Sequence, residues 1–239
     1  MEYPINKYKW YHKIQIDADT WTPGDHRIDT NTHTIERMNE IDFEGKRVLD
    51  IGTRDGLHAF EAERRGAAHI HGIDTCLSLG AVEFLIPHFK SKVKMYERSV
   101  YEIEGMYDVI IFAGVLYHLK YPFVAMSKIA DALVDGGKLL IETAMWQNLQ
   151  ETALLYCPKR TESPYGNTSQ TFFNYKGLVD NLGVFGLMCT NDDYYPKPRQ
   201  PKKEHSVNRY TLISTKCQDE RNEKTMSYWN GNPHKNWQK

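Results

Sequence analysis

The sequence contains few cysteines and none of them are paired in a motif. The four residues are Cys76, Cys157, Cys189 and Cys217. They form no C-x-x-C pair, which argues against a zinc ribbon and against the disulfide framework of small secreted domains. We therefore interpret them as reduced thiols.

A long hydrophobic run is also missing. The longest uncharged apolar stretch, Val109 to Tyr117, is about half as long as a membrane-spanning helix. The stretch after Met1 contains Lys, Tyr and Trp and no hydrophobic segment that ends at a small-residue cleavage site. We therefore predict no membrane span and no signal peptide, and expect a cytoplasmic protein.

The chain has almost no net charge, with 30 Lys or Arg against 31 Asp or Glu. The balance is uneven, because residues 196–239 contain ten basic and four acidic residues. A basic segment permits an anionic partner, although a solvated tail is the commoner explanation. The 41% hydrophobic content is in the globular range, and 239 residues predict one core domain with appended segments.

Short apolar runs alternate with helical segments from residue 46 onward. The predicted strands are 47–51, 68–73, 93–96, 107–112 and 138–142, with two more near 187–190 and 210–215. The predicted helices between the first five are 57–65, 77–89 and 122–133, where apolar residues recur at helical spacing. This order predicts an α/β fold with a doubly wound, mostly parallel, seven-stranded sheet. We interpret Asp135-Gly136-Gly137 as the C-terminal cap of the third helix.

The segments on either side of this region differ in composition. Residues 1–45 are rich in polar and aromatic groups and contain one helix-like stretch, Thr30 to Glu40, so we interpret them as an N-terminal cover that contributes to substrate binding. Residues 46–216 form the predicted main domain, with a cofactor half at 46–143 and an inserted lid and C-terminal strands at 144–216. A helix is predicted at 175–181 and a polar tail at 217–239.

A cofactor loop is predicted after the first strand, in Asp50-Ile51-Gly52-Thr53-Arg54-Asp55-Gly56. Glycines at a strand-to-helix turn let the backbone approach a ligand, and doubly wound sheets bind ligands outside the carboxyl ends of their strands. Asp74 ends the second strand, where a carboxylate can accept hydrogen bonds from both hydroxyls of a ribose. A tight turn and a helix N-cap would explain each feature alone. Together they predict a site for a nucleoside-containing cofactor.

The nature of that cofactor depends on Asp50. A dinucleotide fingerprint needs three glycines near a pyrophosphate, and a carboxylate beside that anion would be unfavourable. Here two glycines follow an acid, which suits a cationic amino group. The sequence therefore favours S-adenosyl-L-methionine over a nicotinamide dinucleotide.

These motifs, continued by residues 107–110 and 133–137, resemble those of the class I adenosylmethionine-dependent methyltransferases over residues 46–143. The resemblance implies a Rossmann-like fold and a set of cofactor-binding residues: Asp50, Gly52, Thr53, Arg54 and Gly56 in the loop, Asp74 at the ribose, Ser99 and Val100 at the adenine, and Ala113 and Gly114 after the fourth strand. Arg54 stands where the family usually has its middle glycine. We therefore expect the loop to approach the methionine moiety differently.

A narrower resemblance extends over residues 10–12, 22–24, 114–119, 139–143 and 208–213. These segments resemble the bacterial enzymes that alkylate 5-hydroxyuridine at the tRNA wobble position, and their small-molecule relatives. In the tRNA enzymes the donor is carboxy-S-adenosylmethionine, whose extra carboxylate is held by a Tyr, an Arg and an upstream Lys. By that resemblance Tyr117 and Arg209 take the first two roles and Lys7 or Lys9 the third.

The same resemblance leaves the acceptor open. The sequence lacks the long N-terminal extension of the tRNA enzymes and is nearly neutral, whereas nucleic-acid affinity depends on many contacts from Lys and Arg to phosphate. We therefore predict O-methylation of a small hydroxylated metabolite or sugar. The alternatives are carboxymethylation of tRNA and a non-catalytic partner subunit that keeps the methyltransferase fold. The oligomeric state is left open.

Transfer to a hydroxyl requires a positioned acceptor and a proton acceptor. His118 is the predicted base because it follows the cofactor strand and histidine titrates near neutrality, with a structural histidine under the lid as the alternative. Further candidates are Tyr117 as a catalytic residue and Tyr11, His12, Glu142 and Arg209 at the substrate. His69 and His71 have no third ligand at a metal-like spacing, so no metal site is predicted.

Overall fold

The predicted alternation of strands and helices is present in the computed structural model, which describes residues 3–24, 28–147, 152–189 and 206–217. The strands are β1 (Arg47–Ile51), β2 (His69–Asp74), β3 (Lys94–Glu97), β4 (Tyr107–Ala113), β5 (Leu133–Trp146), β6 (Leu155–Tyr156), β7 (Phe172–Phe173), β8 (Leu187–Cys189) and β9 (Val207–Lys216). The helices are α1 (Ile28–Arg37), α2 (Leu57–Arg64), α3 (Ile86–Phe89), α4 (Pro122–Ala132) and α5 (Tyr175–Val184). The basic stretch at 196–203 and the polar tail from residue 218 lie outside the described residues.

A seven-stranded sheet has the order β3-β2-β1-β4-β5-β9-β8. The first five strands in this order are parallel to one another. Strand β9 lies between β5 and β8 and is antiparallel to both. The predicted α/β fold with a mostly parallel sheet is therefore confirmed. The strand order reverses between β1 and β4, and ligands in such sheets bind in the crevice at that point.

Helices cover both faces of the sheet, which explains why consecutive residues of β1 and β4 are buried. On one face Leu49 and Phe112 pack with residues of α4 and α5, including Ile129 and Leu182. On the other face Val48 and its neighbours pack against α2 and the residues that follow α1. Neighbouring residues of a strand thus belong to different core clusters.

The predictions around the end of α4 differ from the structure. Helix α4 ends at Ala132, because Leu133 is already extended with φ −86° and ψ 137°. The interpretation of residues 135–137 as a helix cap is wrong: they lie within β5, where its register against β4 shifts between Tyr107 and Val109. Gly136 adopts φ +75° in this irregular segment, a conformation that glycine accepts without strain.

The predicted helix at 77–89 is shorter and irregular. A π-helical turn, Ala81–Leu85, leads directly into α3. Pro87 lies in the first turn of α3 and has no N–H to donate to a carbonyl of the preceding turn, which explains the change in helical geometry.

The N-terminal cover packs on this irregular helix. Ile14 and Ile16 form a cluster with Phe84 and Leu85, and Trp10 packs against its edge. The lid contains β6 and β7, which form a separate two-stranded sheet. Residues 144–146 belong to β5, so the predicted boundary at residue 143 falls inside a strand. Among the residues described, no helix combines the length and apolar character needed to cross a bilayer.

Candidate active site

The loop after β1 turns sharply against the neighbouring strands. Gly52 and Gly56 have φ values of +78° and +86°. The amides of Gly52 and Thr53 donate to the carbonyl of Ile73, at 2.8 and 3.1 Å. A Cβ on Gly52 would lie 2.2 Å from a methyl carbon of Val115, so the loop needs glycine for both its conformation and its close approach.

Arg54 adopts a left-handed conformation, with φ +49° at the position where glycine is usual in the resembling family. Its guanidinium Nη1 donates to the Cys76 carbonyl at 2.7 Å, which turns the side chain toward the loop after β2. The two oxygens of Asp74 accept from the amides of Arg54 (3.0 Å) and Cys76 (2.8 Å). Each carboxylate oxygen retains acceptor capacity, so Asp74 can hold the loop and still accept ribose hydroxyls.

Asp50 is a buried carboxylate below this loop, 1% exposed. Neither of its oxygens has a hydrogen-bond partner among the described residues. Burial raises the pKa of Asp50 to about 7; Thr53 and the amide of Ala59 oppose this rise without reaching hydrogen-bond geometry. His58 lies 3.9 Å away, but burial lowers its pKa to about 4, so it is neutral near pH 7. A cationic group would satisfy this carboxylate.

Asp55 links the N-terminal cover to the loop after β1 through hydrogen bonds. Its Oδ2 accepts from the amides of Tyr11 and His12, both at 2.6 Å, and the side chain is fully buried. The Thr22 hydroxyl then donates to the His12 carbonyl at 2.7 Å. The residues around Trp10–His12 and Thr22–Gly24 therefore lie together beside the loop, which no periodicity of the sequence predicts.

Of the two substrate candidates in the cover, His12 is buried and Tyr11 is 52% exposed. His12 Nδ1 lies 3.6 Å from Asp55, but burial lowers the pKa of His12 to about 3, so this contact is not an ion pair. The His12 ring lies 6.1 Å from that of His58, beneath the loop. The structure thus places His12 in the support of the loop and leaves Tyr11 at the surface.

Arg209 on β9 lies at the centre of a second polar cluster. Its Nε and Nη2 donate to the two oxygens of Glu142 on β5, forming a bidentate ion pair. Its Nη1 donates to the hydroxyls of Tyr117 (3.1 Å) and Tyr165 (2.6 Å). A Cβ on Gly114 would lie 3.6 Å from Arg209 Nη2, so the cluster borders the end of β4.

Burial and the neighbouring charges determine the protonation states in this cluster. Burial by itself would lower the pKa of Arg209. The neighbouring Glu142 carboxylate has the larger effect and raises this pKa. Burial raises the pKa of Tyr117, which is therefore a hydrogen-bond donor near neutral pH. Tyr165 was not predicted from the sequence, because it lies in the irregular lid, 44 positions from Arg209.

His118 lies in a 3₁₀ turn, Leu116–His118, directly after the end of β4. Its Nδ1 is 3.0 Å from the Thr168 carbonyl in the lid. A carbonyl only accepts, so this contact assigns the proton to Nδ1 and leaves the lone pair on Nε2. Burial lowers the pKa of His118 despite this bond, which favours the neutral form that can accept a proton.

The other predicted cofactor residues also lie near strand ends. Ser99 caps a short turn after β3 with a reciprocal hydrogen bond to Glu102, and Val100 is buried in the core. Ala113 ends β4, and the Gly114 amide donates to the Glu142 carbonyl at 2.9 Å. Lys7, one of the two candidates for an upstream lysine, lies 3.6 Å from Glu83 on the surface.

S-adenosylmethionine fits these residues on the basis of unsatisfied groups. Asp50 offers buried, unpartnered oxygens for an ammonium, and Asp74 has spare acceptor capacity. In the described residues, no group of three or more histidine, cysteine or acidic side chains is arranged to hold a metal ion.

The chain is similar to known methyltransferases in sequence and in fold. A family model described as "Methyltransferase domain" matches residues 24–178. The tRNA U34 carboxymethyltransferase of Helicobacter acinonychis is 30% identical over 183 residues, which cover 72% of this chain and 65% of that protein. The enzyme of the same name from Methylococcus capsulatus is 34% identical over 138 residues, covering 55% of this chain and 40% of that protein. The chain thus spans less than two thirds of the length of these relatives.

Solved structures share the fold at low identity. The N-terminal domain of EvdMO1, crystallised in the presence of SAH and D-fucose, has a TM-score of 0.64 and 15% identity, covering 87% of this chain and 91% of that one. The 1,6-didemethyltoxoflavin-N1-methyltransferase of Burkholderia thailandensis has a TM-score of 0.59 and 14% identity, covering 87% and 100%. These likenesses confirm the predicted Rossmann-like fold.

Proposed function

Because the chain belongs to the family of methyltransferase domains, we propose that it transfers a carboxymethyl group from carboxy-S-adenosylmethionine to a hydroxyl oxygen of the tRNA wobble uridine. One observation carries this proposal: Arg209 and Tyr117, 92 positions apart, meet beside Gly114 at the end of β4. By resemblance to the wobble-uridine enzymes, this pair holds the donor's extra carboxylate. The curated relatives bear the corresponding name.

The hydrogen bonds of the cluster support carboxylate binding. Arg209 Nη1 donates to both phenol oxygens, so the hydroxyl protons of Tyr117 and Tyr165 remain available to an acceptor. Hydrogen bonds to an ionised acceptor are stronger than those between neutral groups. A donor carboxylate beside Gly114 would thus meet two oriented phenols, and Arg209 polarises both.

The donor half of the proposal uses the loop and Asp74. Asp50 would hold the donor's ammonium and Asp74 its ribose, while Gly52 and Gly56 let the loop backbone approach the cofactor. When bound, the donor's sulfonium supplies an electrophilic carbon. The chain's own task is to orient the acceptor oxygen in line with that carbon and to accept its proton.

His118 is the proposed proton acceptor. Thr168 orients its ring, and Nε2 carries the free lone pair. Replacing His118 with Ala should lower kcat by about 100-fold or more, the usual contribution of a positioned base. Unchanged kcat with an unchanged pH profile would exclude this role.

A second candidate is methyl transfer from S-adenosyl-L-methionine to a small hydroxylated metabolite or sugar. The observation that favours it is the ion pair between Arg209 and Glu142, which neutralises the cluster before any donor binds. In that case the cluster only shapes the pocket, and an uncarboxylated donor meets no unpaired charge.

Donor preference separates the two candidates. Native mass spectrometry of the purified protein, followed by denaturation, would identify any donor that copurifies. In competition assays we expect carboxy-S-adenosylmethionine to bind at least tenfold more tightly than S-adenosyl-L-methionine. Equal affinity for the two donors would contradict the carboxymethyl proposal and favour the second candidate.

Single hydroxyl deletions make this test specific. Tyr117→Phe and Tyr165→Phe should each reduce the preference for the carboxylated donor, because each removes one hydrogen bond to its carboxylate. Tyr96→Phe is the matched control, since Tyr96 lies on β3 and is 41% exposed. An equal effect of all three changes on this preference would show that the cluster does not bind the donor's carboxylate.

A further inference from the structure

A cavity of about 500 Å³ lies next to His118, whose Nδ1 is 3.0 Å from the carbonyl of the lining residue Thr168. It is lined by Lys120, Cys157, Pro158 and the strap, which we define as residues 167–171. We call it the lid cavity. Its volume is in the range of small-molecule sites.

The strap is fixed to the turn that carries the catalytic candidates. The Gln170 amide donates to the Tyr117 carbonyl at 2.8 Å, and the Thr171 hydroxyl donates to the Leu119 carbonyl at 3.0 Å. Ser169 and Thr171 are buried, 2% and 4% exposed. The wall of the lid cavity is therefore hydrogen-bonded to the same turn that holds His118. The cavity is thus formed by fixed parts of the fold.

The lining has the chemistry of an anion site. Hydroxyl and amide side chains dominate the strap, Lys120 supplies one positive charge, and no carboxylate of the described residues lines the cavity. The Thr171 hydroxyl and the Gln170 side-chain amide already donate to backbone carbonyls, so the Lys120 ammonium is the lining group that best suits the oxygens of a phosphate. A cationic or wholly apolar ligand would be poorly matched.

We propose that the lid cavity binds a phosphate group of the acceptor, with Lys120 as its main contact. The inference rests on the proposed function, because it takes His118 to mark the reacting hydroxyl. Tyr117 faces the donor cluster and Lys120 the lid cavity, so the turn at 117–120 joins the two sites. The phosphate is either a phosphodiester of RNA or the phosphate of a small metabolite.

The test measures binding rather than turnover. An anticodon stem-loop RNA with 5-hydroxyuridine at the wobble position would be titrated against the full chain at several salt concentrations. We expect Lys120→Ala to weaken binding about fivefold to tenfold and to reduce the slope of log Kd against log salt by about 0.7 to 0.9, the loss of one phosphate contact. Lys128→Ala, an exposed lysine on α4 outside the cavity, should change neither value.

Uridine 5′-monophosphate distinguishes the source of the phosphate. If Lys120→Ala weakens binding of this nucleotide but not of the RNA, the cavity binds the phosphate of a small acceptor and does not contact the RNA backbone. If Lys120→Ala matches Lys128→Ala with both ligands, the inference is overturned.

Cys157 gives an independent readout of the cavity. It is an exposed thiol on the lining, and Cys76, exposed near the cofactor loop, is a reference within the same molecule. Either ligand should slow alkylation of Cys157 but not of Cys76, as measured on peptides by mass spectrometry. Calorimetry with S-adenosylhomocysteine tests the donor site separately, so donor binding without protection of Cys157 would overturn only the inference.

Discussion

The loop after β1 and the polar cluster around Arg209 are held together in different ways. The loop depends on contacts between segments that are close in sequence: the Asp74 carboxylate accepts from backbone amides 20 and 2 positions away. The cluster around Arg209 depends on side chains 44 to 92 positions apart. Backbone geometry that depends on neighbouring residues can be recognised in the sequence. A cluster of side chains from distant segments has no such local pattern. Mutations in the loop and in the Arg209 cluster should therefore have different effects on stability and on ligand affinity.

The largest expected effect is on stability, at Arg209. Arg209→Ala would leave the Glu142 carboxylate, 3% exposed, buried without its partner. We expect the free energy of unfolding to fall by about 3–5 kcal/mol, as measured by chemical denaturation. The double change Arg209→Met with Glu142→Leu should recover most of this loss without restoring preference for the carboxylated donor. A loss below about 1 kcal/mol in the single variant would indicate a solvent-screened surface pair.

The next effect is on donor affinity, at Asp74. Asp74→Ala removes the acceptor for the ribose and for two loop amides. We expect the affinity for S-adenosylhomocysteine, measured by calorimetry, to fall by about 100-fold or more, because hydrogen bonds to a charged group contribute about 1.5–3 kcal/mol each. Asp131→Asn, an exposed carboxylate on α4, is the control. Unchanged affinity in Asp74→Ala would remove this residue from the donor site.

A smaller effect is the pH dependence of donor binding, through Asp50. Because its pKa in the free protein is raised to about 7, Asp50 is protonated below that pH and must lose a proton to pair with an ammonium. The affinity for S-adenosylhomocysteine should therefore fall below pH 7 by up to about tenfold per pH unit, or about 1.4 kcal/mol. Asp50→Asn should bind weakly at every pH. An affinity that does not vary between pH 5 and 8 in the unmodified chain would contradict the role of Asp50.

The same pKa shift makes a prediction for stability without the donor. A carboxyl whose pKa is raised by folding favours the folded state when protonated, so Asp50 should stabilise the free protein as the pH falls from about 7 toward 4. Donor binding should reverse this contribution, because it favours the ionised form.

The smallest expected effect is local, at Asp55. Asp55→Ala removes the acceptor for the amides of Tyr11 and His12. Loss of these bonds should speed hydrogen exchange of both amides by about tenfold, corresponding to about 1–2 kcal/mol of local stability. Asp17→Ala is the control, because Asp17 bonds to Tyr3 and to the amides of Asp19 and Thr20, and not to the amides of Tyr11 and His12. Equal exchange in both variants would show that the apolar contacts of Ile14 and Ile16 hold the cover instead.

The strands and the sharp turn after β1 were predicted best, since their signals are local. The strand at 47–51 has the predicted bounds, and the predicted seven-stranded sheet is confirmed. The helix cap at 135–137 was wrong, because a glycine pair after a helix is equally suited to an irregular strand. Pro87 was a visible signal for the irregular helix before it, since it removes a backbone donor.

The sequence by itself determined the fold class and the glycine turn after β1, because alternating apolar runs and a glycine turn followed by an acid constrain the backbone over short distances. Only the tertiary structure decided which side chains meet. Tyr165 joins Arg209, Asp55 holds the cover, and residues 167–171 line a cavity beside His118. These contacts depend on how the lid, the cover and β9 close over the sheet, and the packing of distant segments leaves no periodic pattern in the chain.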